Sequence, residues 1–150
     1  MVDTGKILKA VNDKLRELFP KTKIYGIETK EGYKTPCFNT EIKILSYSSV
    51  NAHITRTRVE ITIDYLMTTV DTVEQLKVLD TIKNNFYKYL KVGDRVLHVA
   101  DVSQGYTGDY DDVLTFDIDI DIYENTYIKI IDKPIEKVDL RLKRKDDIYN

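Results

Sequence analysis

Apolar residues near the start of the chain recur three and four positions apart. Ile7, Leu8, Val11, Leu15 and Leu18 follow Asp3 and Thr4, while Lys6, Lys9, Asp13, Lys14 and Glu17 fill the other side. That period predicts an amphipathic first helix, ended by Pro20, whose apolar stripe is suited to covering a sheet. Beyond it the period falls to two. The segment 23-KIYGIE-28 reads as a short strand, and 29-TKEGYKTP-36, with Gly32 and Pro36, as a turn or exposed loop. The run 37-CFNTEIKILSYS-48 alternates as a strand, and 46-SYSSVNAH-53 reads as a small polar link. The longest strand candidate is 54-ITRTRVEITIDYLM-67: Val59, Ile61, Ile63 and Tyr65 share one face, and Arg56, Arg58, Glu60, Thr62 and Asp64 the other.

A second helix is predicted from a Thr72 and Gln75 capping box, with a stripe of Val73, Leu76, Leu79, Ile82, Phe86 and Leu90. Gly93 and Asp94 then turn the chain into a strand, 95-RVLHVADV-102. A polar loop, 103-SQGYTGDYDD-112, joins that strand to 113-VLTFDIDIDIYE-124 as a hairpin-like pair. The order of elements predicts an α+β domain over residues 1–124: one mainly antiparallel or mixed sheet with two amphipathic helices packed on one face. Residues 125–150 form a C-terminal extension. Within it 127-YIKIIDKP-134 has a short strand pattern, and 135–150 is either a frayed tail or an arm that orders against a partner.

Composition narrows the function classes. A chain of 150 residues, 42% hydrophobic and 32% charged, suits one globular domain. A net charge of -2 gives no global attraction for nucleic acid. The N-terminus lacks the apolar core of a signal peptide, and no run approaches a membrane span. The lone cysteine, Cys37, has no disulfide partner, and His53 and His98 lack zinc-ligand spacing.

The acidic strand poses the sharpest chemical question. Asp117, Asp119 and Asp121 lie on one strand face, opposite Leu114, Phe116, Ile118, Ile120 and Ile122. Successive carboxylates on that face stand about 7 Å apart and do not converge on one ion. A polar sheet face is the better reading, with Arg56 and Arg58 facing the acids if 54–67 pairs with 113–123. Cys37, His98 and Ser103 form no recognisable nucleophile and base arrangement, and no phosphate-binding glycine loop appears. The dense basic run 141-RLKRK-145 lacks interleaved aromatics. No enzyme, cofactor or metal is expected.

The chain resembles the small tail terminator proteins of tailed bacteriophages and of phage-tail-like particles in Gram-positive hosts. The resemblance rests on 7-ILKAVNDKLRELFP-20, 24-IYGIETKEGYKTPCFNTEI-42, 56-RTRVEITIDY-65, 74-EQLKVLDTIKNNF-86, 93-GDRVLHVADV-102 and 112-DVLTFDIDIDIYE-124. It implies a non-enzymatic ring, usually hexameric, that caps the last ring of the tail tube and stops its polymerisation. Such a ring presents a surface to neck or head completion proteins, or to a sheath protein. Another head-tail connector or neck component is the alternative.

The same resemblance implies a virion tail or phage-tail-like particle assembled in the bacterial cytoplasm, with neither sequence-specific nucleic acid nor membrane as partner. Tyr25, Glu31, Tyr33, Lys34, Tyr106 and Tyr110 are the expected tube or neck contacts, with Tyr106 and Tyr110 at a hairpin tip. Arg56, Arg58, Asp117, Asp119, Asp121, Lys143 and Arg144 are expected at a subunit join or on the lumen, where acids would repel the DNA backbone. Ring closure requires heterologous contacts, for which the helices or a sheet edge would supply one surface and loops 29–36 and 46–53 the other.

Overall fold

The computed structural model describes residues 2–26 and 32–126. The first helix, α1 (Thr4–Leu18), starts where the Asp3 side chain accepts a hydrogen bond from the Gly5 amide, and it buries Ile7, Val11 and Leu15. Strands β1 (Lys23–Gly26), β2 (Cys37–Ser49) and β3 (Ile54–Leu66) follow, then helix α2 (Thr72–Asn85). Strands β4 (Tyr89–Val92), β5 (Arg95–Thr107) and β6 (Val113–Asn125) complete the fold.

All six strands form one sheet in the order β1-β2-β3-β6-β5-β4. Only β1 and β2 run parallel; every other pairing is antiparallel, so the sheet is mixed. Alternation fixes its two faces. Val59, Ile61, Ile63 and Tyr65 of β3 and Leu114, Phe116, Ile118 and Ile120 of β6 pair in register and form one core with both helices. Flanks of α1 lie against β1 and β2 on one side and β4 on the other, so the sheet wraps around this helix. No helix among the described residues is long and apolar enough to cross a membrane.

Three sequence expectations need correction. First, α2 is turned relative to its predicted stripe. Asp71, not a Thr72 and Gln75 box, caps the helix by accepting from the Val73 and Glu74 amides. Gln75, Val78 and Ile82 then face inward, while Val73 and Leu76 are 63% and 47% exposed. Second, the helix does not reach Leu90. It ends at Asn85, Lys88 adopts a left-handed conformation (φ 69°), and Leu90 enters the core from β4. Third, β2 and β5 are longer than expected. β2 continues to Ser49 past a bulge between Ile44 and Ser46, and β5 runs to Thr107, which leaves 108–112 as the turn.

Candidate functional site

The face of the sheet turned away from the helices is crowded with charge. β3 lies beside β6, which sets Arg58 opposite Asp121, Glu60 opposite Asp119 and Thr62 opposite Asp117. On the next strand Asp101 stands opposite Asp119. Glu60, Asp119 and Asp101 therefore form a row across three strands, an arrangement that like charges directly opposite one another disfavour.

The three predicted aspartates have different surroundings. Asp121 is bound on two sides: Arg56 Nη2 donates to both of its oxygens at 3.2 and 3.1 Å, and Arg58 Nε donates at 3.2 Å. Burial pushes its carboxyl up, but the hydrogen bonds and charges of the two arginines outweigh that and hold it below the usual range. Asp117 accepts from the Thr62 hydroxyl at 2.9 Å. Asp119 is the poorly satisfied member, since its Oδ1 is buried with no hydrogen-bond partner among the described residues. Burial raises its carboxyl; the charge of Arg58 opposes the rise, and Asp101, Asp117 and Asp121 add to it. Glu60 is likewise raised, first by burial and then by Asp117 and Asp119. Asp64 is raised by burial against the opposing Thr115 hydroxyl, which donates to it at 2.7 Å.

The row does not converge on a metal ion, for among the described residues no three His, Cys, Asp or Glu side chains are placed to hold one. Cys37 and His98 do not meet either. They lie on β2 and β5, with β3 and β6 between them, and burial pushes the Cys37 thiol up, away from a thiolate.

The expected tube or neck contacts fall at one end of the strands, on opposite flanks. Tyr25 lies on β1, packs edge-on against Tyr33 with ring centroids 5.1 Å apart, and accepts a hydrogen bond from the Lys34 amide at 3.2 Å. Tyr110 is 87% exposed at the β5–β6 turn. Tyr106, expected at that tip, instead belongs to β5 and pairs with Leu114, because the strand runs further than its polar sequence suggested. Glu31, Lys143 and Arg144 lie outside the described residues, as does 127–150 of the extension.

Two apolar surfaces lie on parts that the sequence reading offered for ring closure, loop 46–53 and a helix, but their exposed residues were not named for that role. At the opposite end, the β2–β3 hairpin exposes Ile44, Leu45, Tyr47 and Val50. The adjacent apolar pair Ile44 and Leu45 breaks strict alternation, which is the available signal of the bulge. The second surface is the outer side of α2 with Val73 and Leu76, beside the β5–β6 turn. The buried Gln75 amide donates to the Asp112 carbonyl in that turn at 2.9 Å.

The fold and its surfaces define an α+β structural module whose charge is spread over a sheet face. The family model for phage tail terminator proteins matches residues 6–132, and the chain belongs to that family. It is accordingly a tail-associated structural protein, and the match continues past Glu124 through the first residues of the extension. Among solved structures 16 chains match. One of them is similar over 85% of this chain and 98% of its own length, with a TM-score of 0.50 at 13% identity, a likeness of fold. No curated protein matches.

Proposed function

We propose that this chain forms a ring, hexameric on its template, that caps the tail tube, stops polymerisation and joins the tail to a neck or sheath protein without catalysing a reaction. The family match over residues 6–132 carries the reading. The charged sheet face supports a further element of it: Glu60, Asp101, Asp117 and Asp119 line the central passage and repel a DNA backbone. Tyr25, Tyr33 and Lys34 supply contact area to the tube or neck. The proposed setting is a virion tail or phage-tail-like particle of a Gram-positive host, assembled in the cytoplasm, with neither a membrane nor a specific nucleic-acid sequence as partner.

The test is to polymerise purified tail-tube protein with and without this chain and to image tube ends and lengths by negative stain. A ring at one end with arrested growth is the expected result. Tubes that grow to full length with no added end density would sink the capping role and favour a neck component.

A further inference from the structure

Two exposed apolar surfaces, at opposite ends of the strands, also carry opposite charge. The first is the β2–β3 arm, with Ile44, Leu45, Tyr47 and Val50 exposed. From Lys43 to Arg58 the chain holds Lys43, His53, Arg56 and Arg58 and no carboxylate. Asp121 offsets one of the two arginines, and Lys43 lies 3.7 Å from Glu41 and opposite Glu60, so the positive charge that remains on the arm is that of the Arg56 and Arg58 pair beside a single carboxylate. The second surface surrounds the start of α2. Val73 and Leu76 are exposed there, and Tyr110 projects from the adjoining turn. Its charged neighbours are Asp71, Glu74, Asp109, Asp111 and Asp112, against Lys77. Val73 and Leu76 follow the helical period that in a lone domain marks a buried stripe, yet the Asp71 cap turns them to solvent. Apolar residues patterned for burial and left uncovered mark a surface that a partner covers.

A ring needs two unlike surfaces that fit each other, one on each flank of every copy. These two are unlike, apolar at the centre and complementary in charge. We propose that copies of this chain join head to tail, the basic β2–β3 arm of one copy packing on the acidic, apolar surface formed by the start of α2 and the β5–β6 turn of the next. The join rests on the ring reading above. It assigns Leu45 and Tyr47 on one side, and Val73 and Leu76 on the other, to the buried centre of the contact.

Within one copy Tyr47 is level with Thr57 of β3, whereas the β5–β6 turn is level with Tyr65, about 25 Å away along the strand. A reagent shorter than that cannot bridge Tyr47→Cys and Leu76→Cys within a single copy. The doubly substituted chain, mixed with tube protein and treated with a short bismaleimide, is expected to give gel rungs above dimer at capped tube ends. Capped ends with only monomer on the gel would overturn the join and leave the capping role standing. Rungs without capped ends would keep the join and remove that role; monomer with uncapped ends would overturn both.

A second comparison needs no cross-link. Leu45→Ser with Tyr47→Ser, or Val73→Ser with Leu76→Ser, should raise the concentration needed for capping about tenfold or more, with unchanged thermal melts because all four residues are exposed. Mixing the two defective chains leaves one sound contact per pair, so the mixture should stop at heterodimers. Full capping by either defective chain at the parent concentration would overturn the join.

Discussion

Asp119 is the residue where the acidic face is least comfortable. Its buried Oδ1 lacks a partner, Glu60 and Asp101 stand opposite it, and Asp117 and Asp121 flank it, with Arg58 the one opposing charge acting on it among the described residues. A carboxyl raised in the folded state stabilises the fold below its unfolded pKa, and that contribution is lost as pH rises through the raised value. Asp119→Asn should therefore gain stability relative to the parent as pH rises through that window. At neutral pH the gain should be about 0.5–1 kcal/mol, read from thermal melts between acid and neutral pH. Asp121 has the opposite sign. Held low by Arg56 and Arg58, it contributes above the ordinary carboxylate range and loses that contribution as pH falls through its lowered value. Asp121→Ala should cost about 1 kcal/mol at neutral pH, since the arginines are partly exposed, and the cost should fade in acid.

At the scale of elements, α2 shows what the sequence could and could not reveal. Strand faces were legible because a period of two leaves a single choice of side: Val59, Ile61 and Ile63 had to oppose Arg58, Glu60 and Thr62. A helix has a continuous range of rotations, and its apolar residues here occupy two stripes, Val73 with Leu76 and Val78 with Ile82. The choice between them is made by Asp71 at the cap and by the long-range bond from Gln75 to Asp112, which no local pattern announces. β4 was missed for a related reason, as Leu90 continues the helical spacing from Phe86 although the helix has already ended at Asn85 and the left-handed Lys88 turns the chain into β4. Gln75→Leu should cost about 1–3 kcal/mol in urea unfolding by leaving a carbonyl without its donor, and Asp71→Ala about 1 kcal/mol. Val73→Ser should cost almost nothing; the reverse ranking would mean that the helix faces the other way.

For the whole molecule, pairing of β3 with β6 converts a run of alternating aspartates into an acidic surface that spans three strands. That pairing was foreseen only as a condition, because strand neighbours in a sheet are set by contacts distant in sequence. Reversing one exposed charge tests the passage role. Asp101→Lys rings on tube ends should retain short duplex DNA with an affinity that falls as salt rises, whereas parent rings retain none. Equal retention by both would place this face elsewhere than on the passage.

The way the sheet wraps around α1 carries a consequence in time. Of the described elements α1 leaves the ribosome before the others, yet it rests against β4, near residue 90, and the Val2 amide donates to Glu124 at the end of β6. At ordinary rates of synthesis α1 waits about 6–25 s for the last of these seats to be made. A nascent chain thus lacks its complete fold until β6 has emerged, and a product stalled or truncated before β6 lacks the seats that hold α1.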